Sequence, residues 1–267
     1  AVNHSFSTVA TGGFSTRNMS IMYDDSVAIE AVIIVFMLLS SIHFGLLFAV
    51  FATRSLKPFG QPVVKFFLGT TAVLSVLVAF SLKIGGDYES WGRAFRDAVF
   101  QVSSHITTTG FGSADNADWP VFASILLMYA VFQCGCSGST TGGVKSDRVL
   151  ITFKAISRQV RKILHPSSVT QIMVGRHPVK EEVALSAILY IVLYMGIFLI
   201  SFFILLLAGV DIVDAFSGSL TSLGNAGPGL DSLSTMGNYN AQPFIAKFIF
   251  SIDMIFGRME IYPVFIV

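Results

Sequence analysis

The sequence predicts an all-α membrane protein built from repeated units, each a span, a short pore helix, a filter loop and a second span, set around a single pore. Three observations predict it. A polar segment built on Thr and Gly recurs three times, as Thr8-Val-Ala-Thr-Gly-Gly-Phe14, Thr107-Thr-Thr-Gly-Phe-Gly112 and Thr221-Ser-Leu-Gly-Asn-Ala-Gly227. With Gly12, Gly110 and Gly224 in register the intervals are 98 and 114 residues, room for two membrane spans and a half-buried helix per repeat. Hydrophobic residues are 53% of the chain and charged residues 12%, with a mean hydropathy of +0.72, which leaves too little polar surface for an ordinary soluble protein.

The elements follow from apolar length, since about 20 helical residues at 1.5 Å each cross the hydrocarbon core. Residues 27–52 and 63–82 are the first two candidate spans, a third begins near Trp119, a fourth covers 183–210, and a fifth runs from Pro243 to the end of the chain at Val267. Residues 90–106 and 211–220 stand directly before a Thr/Gly segment and make poor full spans. The second, about 10 residues, reaches roughly 15 Å as a helix and must enter and return. Irregular backbone after such a helix is tolerated within a membrane only where protein or a wet cavity surrounds it. The chain opens at Ala1 in mid-pattern, and its fifth span meets no polar stop. It is therefore expected to be a piece of a longer protein.

Basic residues set the orientation. The loop 54–65 carries Arg54, Lys57 and Lys65, and 145–180 carries Lys145, Arg148, Lys154, Arg158, Arg161, Lys162, Arg176 and Lys180, so both are assigned to the cytoplasm. The Thr/Gly segments then face outward among Asp24, Asp25, Asp87, Glu89, Asp97, Asp115, Asp118, Asp211, Asp214 and Asp231. These acids read either as a vestibule that concentrates cations or as solvated loop residues.

A cation leaving water needs several oxygen ligands, and backbone carbonyls turned to one axis supply them; Gly permits the required dihedrals and Thr adds a hydroxyl. The expected filter residues are Ala10, Thr11, Gly12 and Gly13; Thr108, Thr109, Gly110 and Phe111; and Ser222, Leu223, Gly224 and Asn225. None is a carboxylate, which disfavours a divalent acidic ring and favours a weakly held monovalent ion. Thr108-Thr-Gly-Phe-Gly112 differs from the TVGYG filter of potassium channels only by Thr for Val and Phe for Tyr.

Other chemistries find no support. Net charge is +1, no argument for nucleic acid. Cys134 and Cys136 lack His or carboxylate partners at metal-ligand spacing and read as structural thiols. His4 and His105 read as packing groups near the filters. Gly138 to Lys145 is not a phosphate loop, because Val144 separates Gly143 from the Lys and no strand precedes it. No nucleophile, base and oxyanion set is visible, so the chain is not read as an enzyme and needs no organic cofactor.

On His4-Ser-Phe-Ser-Thr-Val-Ala-Thr-Gly-Gly-Phe-Ser-Thr16, Thr107-Thr-Thr-Gly-Phe-Gly112, Cys136-Ser-Gly-Ser-Thr-Thr-Gly-Gly-Val-Lys145 and Gly257-Arg-Met-Glu-Ile261, the chain resembles the Trk/Ktr/HKT superfamily of potassium transporters, its bacterial TrkH-like members most closely. The resemblance implies four units around one pore, of which residues 1–56 would end the second, 57–165 form the third and 166–267 form the fourth. It implies K⁺ as the transported ion, a multi-pass protein of the bacterial inner membrane, a homodimer, and a cytosolic Rossmann-like nucleotide-binding regulatory subunit.

Gly135 to Gly143 replaces helix formers with small and hydroxyl residues in the third inner span, where a helix cannot run comfortably. A small-residue packing face is one reading; the resemblance implies an intramembrane gate formed by Gly135, Ser137, Gly138, Ser139, Thr140, Thr141, Gly142 and Gly143. Arg258, deep in the fifth span, must face protein or water. It is expected either to pack helices or, as the resemblance implies, to hydrogen-bond carbonyls of the gate. Glu260 stands too close in sequence to face it. A proton- or sodium-coupled secondary transporter, which also uses Gly-interrupted helices, is the alternative. Parallel repeats with filters on one side argue against it.

Overall fold

The computed structural model describes residues 1–86, 88–165, 171–175, 177–259 and 261. Asp87, Arg176, Glu260 and the last part of the fifth candidate span lie outside these. Ten α-helices and one small hairpin are described: α1 Val2–Val9, α2 Val27–Ser40, α3 Phe44–Thr53, α4 Pro62–Gly85, α5 Trp91–Ile106, α6 Val121–Gln133, α7 Ser146–Leu164, β1 Ile172–Val174, β2 His177–Val179, α8 Glu181–Leu207, α9 Ile212–Gly224 and α10 Phe244–Arg258. The hairpin, antiparallel with Met173 opposite Pro178, was not expected from the sequence.

Among the described residues two helices, α4 and α8, are long and apolar enough to cross a membrane unbroken. Pro62 starts α4 where its missing N–H costs nothing, and Gly86, at φ 87°, ends it. Along α4 the buried residues Val64, Phe67, Thr71, Leu74, Val78 and Leu82 recur every three or four positions, one face of a helix. Ala187, Tyr190, Tyr194, Phe198, Ser201 and Leu205 do the same on α8. Val192, Ile200, Phe203 and Leu207 stay exposed on its other side, as a lipid-facing surface requires.

The first candidate span is not one helix. It breaks into α2 and α3, bent by 101°. Ser40 and Ser41 both turn their hydroxyls back to the Met37 carbonyl, at 2.8 and 2.9 Å, and such back-bonding loosens a helix end. His43 then caps α3 by accepting the Gly45 N–H on Nδ1 at 2.9 Å. The apolar length of 27–52, despite Ser40, Ser41 and His43 within it, hid this break.

The third inner span is interrupted as expected, between α6 and α7. Lys145, assigned above to a cytoplasmic loop, is instead 6% exposed at the end of that interruption, and Arg148 packs its guanidinium on the ring of buried Tyr190 at 3.9 Å. The short helix expected over 211–220 continues to Gly224 as α9, and α1 adds a pore-type helix before the first Thr/Gly segment.

A charged clamp ties α2 to α5. Arg96 donates from Nε and Nη2 to the two oxygens of Glu30, both at 2.8 Å, and from Nη2 to Asp25 at 2.9 Å; Glu30 is 3% exposed. Because removing one partner of a buried pair strands the other charge, Arg96→Ala is expected to cost about 3 kcal/mol or more of stability, read as a lower melting temperature in detergent. Adding Glu30→Gln in the same chain restores most of that loss, and a melting temperature unmoved by Arg96→Ala would show the clamp to be ornamental.

Candidate functional site

The three Thr/Gly segments follow helix ends of one design. Thr11, Thr108 and Asn225 have φ of 49°, 52° and 56°, and each donates its N–H to the carbonyl three residues back, on Thr8, His105 and Ser222, at 3.2, 3.1 and 3.1 Å. The next residues, Gly12, Thr109 and Ala226, donate five back, to Ser7, Ser104 and Thr221, at 2.8, 2.9 and 2.9 Å. The third residues, Gly13, Gly110 and Gly227, return to positive φ at 67°, 82° and 92°. The backbone therefore aligns Gly13, Gly110 and Gly227, with intervals of 97 and 117 residues.

This corrects the register of Gly12, Gly110 and Gly224. Gly224 is the last residue of α9, with Ser222 and Leu223 in the same helical turn, so these three end the pore helix. Gly12 occupies the position of Thr109 and Ala226. Asn tolerates a left-handed backbone, but Thr is β-branched and rarely does, so Thr11 and Thr108 gave no sequence signal of where the helices stop.

The segments lie side by side. A Cβ on Gly13 would collide with the Thr109 carbonyl oxygen, and one on Gly110 with the Ala226 carbonyl oxygen. Gly13 and Gly110 thus each meet the carbonyl that precedes the next register glycine; at Gly227 the Cβ position is open. Hydroxyls brace the loops at one shared position, Ser7 accepting the Phe14 N–H at 2.7 Å and Ser104 donating to the Phe111 carbonyl at 2.7 Å. The C-terminal ends of α1, α5 and α9 run into the segments, where the partial negative charge of the helix dipole favours a cation.

The interruption between α6 and α7 sits directly against all three. Gly142 donates its N–H to Thr108 Oγ1 at 3.2 Å, Thr11 Oγ1 donates to the Thr140 carbonyl at 3.2 Å, and a Cβ on Gly142 would strike the Gly224 carbonyl. Inside the loop, Ser139 Oγ bonds the Cys136 carbonyl at 2.6 Å and Thr141 Oγ1 at 2.8 Å, Ser137 donates its N–H to Asp147, and Ser146 donates its N–H to the Gly135 carbonyl at 2.7 Å. Gly143 has φ 66° beside Cys134 Sγ, and a Cβ on Gly135 would meet Thr141 and Ser41.

The break between α2 and α3 fastens to the same loop. Cys136 donates its N–H to the Ser41 carbonyl at 2.9 Å, Phe44 donates to the Gly138 carbonyl at 3.0 Å, and Thr140 Oγ1 donates to the Ser40 carbonyl at 3.3 Å. From α10, Arg258 Nη1 donates to the Thr140 carbonyl at 2.8 Å, and Met254 accepts from Asn225 Nδ2 at 3.1 Å. Gly257 presses so closely on the Leu223 carbonyl that no Cβ would fit.

Of the remaining expectations, Cys134 and Cys136 are free and buried. His105 bonds the Gln101 carbonyl at 2.7 Å from Nδ1, and His4 bonds Ser15 Oγ at 2.8 Å and meets Phe111 edge-on. Several of the outward acids have structural duties: Asp25 with Arg96, Asp97 with Arg93 at 3.9 Å, Asp211 capping α9, and Asp214 with Ser232 and Gln242.

The TrkH family, described as cation transport protein, matches residues 1–267. The chain belongs to the TrkH family. It is 35% identical over 267 residues to the Trk system potassium uptake protein TrkH of Salmonella typhimurium (100% of this chain, 55% of that protein) and 38% identical over 265 residues to TrkH of Halomonas elongata (99% and 54%). The crystal structure of the potassium transporter TrkH from Vibrio parahaemolyticus superposes with a TM-score of 0.91 at 34% identity, over 99% of this chain and 57% of that one. This TrkH-family chain thus spans about half the length of the curated relatives it matches.

Sequence reasoning missed Ala226 and Gly227, and the joint at Ser40, Ser41 and Phe44. Asn225-Ala-Gly227-Pro228 held a usable signal, since Asn and Gly are the residues that accept positive φ. The register distinguishes Gly13 from Gly12: Ala at 13 takes a left-handed backbone and a collision, whereas Ala at 12 meets only the Phe14 ring at 3.3 Å and Ser7 Oγ at 3.5 Å. In the full-length TrkH-family protein, Gly13→Ala is expected to lower Rb⁺ flux roughly tenfold or more and Gly12→Ala to leave most of it. Equal losses would reject the register.

Proposed function

We propose that this chain supplies three of the units around a potassium-selective pore, with residues 1–56 ending one unit, 57–165 forming the next and 166–267 the last. Backbone carbonyls of Thr11 to Gly13, Thr108 to Gly110 and Asn225 to Gly227 replace water around a passing K⁺, which is the transported ion and no resident cofactor. Alternation of φ sign along each triplet turns successive carbonyls toward one side, and the lack of carboxylates keeps the ion weakly held. One arrangement carries this reading: a single loop, residues 135–143, is hydrogen-bonded to the Thr/Gly segments of two units and to Arg258, and Gly142 packs on the end of α9 just before the third segment. A loop so placed blocks the path beneath the filter and opens it by letting go.

The protein acts in the bacterial inner membrane as a homodimer and does no enzymatic chemistry. It takes its opening signal from a cytosolic Rossmann-like nucleotide-binding subunit, in line with relatives named as parts of a Trk system. Flux into proteoliposomes of the full-length protein tests this. Uptake of K⁺ and Rb⁺ well above Na⁺ and Li⁺, indifferent to an imposed proton gradient, supports a filter pore; uptake that needs the gradient makes it a coupled transporter.

Arg258 gives the sharper expectation. A charge-assisted hydrogen bond is worth about 1.5–3 kcal/mol, so Arg258→Ala is expected to raise basal K⁺ flux by roughly 10- to 100-fold without changing the K⁺ over Na⁺ preference. Unchanged basal flux would remove Arg258 from the gate.

A further inference from the structure

Asp253 takes no part in the arrangement above, yet it is 1% exposed on α10. Its Oδ1 accepts one hydrogen bond, from Ser201 Oγ on α8 at 2.6 Å, and its Oδ2 has no partner among the described residues. The seam between α8 and α10 is otherwise apolar, with Leu205, Ala246 and Phe250 in one buried cluster. A second buried atom, the Tyr194 hydroxyl two turns from Ser201 on the same face of α8, has no hydrogen-bond partner among the described residues.

The charged groups on the surrounding helices are engaged elsewhere. On α10, Lys247 donates to the Asn240 carbonyl at 2.7 Å and Arg258 to the Thr140 carbonyl at 2.8 Å. On α9, Asp214 is bonded to Ser232 and Gln242. On α8 the titratable side chain on the Ser201 face is Tyr194, and Tyr239 meets Phe250 edge-on at 5.2 Å. An ionised carboxylate with one hydrogen bond and no cation is costly in such surroundings, whereas a carboxylic acid is not.

We propose that Asp253 is a proton-binding site, occupied when α10 is seated on α8, and that release of its proton to water opens the path. This rests on the pore reading above. The link is short. Met254, the next residue, holds Asn225; Gly257 lies against the Leu223 carbonyl; Arg258 holds Thr140. Ionisation leaves on Asp253 a charge that the seam cannot solvate, so α10 shifts toward water and Arg258 is drawn from the gate loop.

The test uses the full-length protein in liposomes with two readouts, the infrared C=O band of a protonated carboxyl and Rb⁺ flux, both followed against pH. A band present at neutral pH in the parent and missing in Asp253→Asn is expected, with flux rising about fivefold or more over the pH interval in which the band disappears. Asp253→Asn holds flux at its low-pH level throughout. Ser201→Ala, which removes the one hydrogen bond that Asp253 makes in the seated, protonated form, moves the band's midpoint down by roughly 1 pH unit. A parent without the band, a band that survives in Asp253→Asn, or an Asp253→Asn flux that keeps the parental pH dependence overturns the proposal. A parent that shows the band but conducts no ion refutes the pore and leaves the proton site standing.

Discussion

Backbone amides and carbonyls that leave a helix inside a membrane must find partners within the protein, and that requirement organises this molecule. Three helix ends, one helix break and one helix interruption meet in one place, and they satisfy one another. Cys136 donates to Ser41 at the break and Phe44 donates to Gly138 in the loop, while Thr11, Thr108 and Gly142 join the loop to the segments. Removing any one irregular piece would leave the others with unpaired polar groups in a medium that cannot hydrate them. The irregularities therefore come as a set, and the straight helices α4 and α8 serve as the wall that keeps them dry.

The wall was legible in the sequence because its signal is additive. Hydrophobic length alone marked α4 and α8, and the run of Gly, Ser and Thr between Gly135 and Gly143 marked the interruption. The places where reading by composition failed are those where a few hydrogen bonds decide. Ser40 and Ser41 are two polar residues in a long apolar run, and their back-bonds to Met37 become a break only because a loop nearly 100 residues later offers partners. The pore-helix ends were misplaced for a related reason: glycines were aligned by identity, whereas the shared feature is a dihedral pattern that Thr, Gly and Asn all adopt.

Charges follow the same division. Lys145 and Arg148 looked like topogenic residues and instead fill internal positions, one at the foot of the loop and one on the ring of Tyr190. Asp25, Asp97, Asp211 and Asp214 looked like a diffuse acidic field, but each has a fixed partner in a clamp, a pair or a cap. Sequence counts of charge thus overstate how much charge is free at the surface.

The contacts of Gly13 and Gly110 with the next segment's carbonyl limit how the proposed passage can vary. Gly13 against Thr109 and Gly110 against Ala226 fix the spacing between neighbouring segments by main chain touching main chain. In the pore proposed above, the width of the opening at these two contacts is then set by main-chain geometry common to every residue type. Side-chain substitution can close the ring or break it, but offers no graded way to widen it, so diversification has to proceed through the surrounding helices and the loop below.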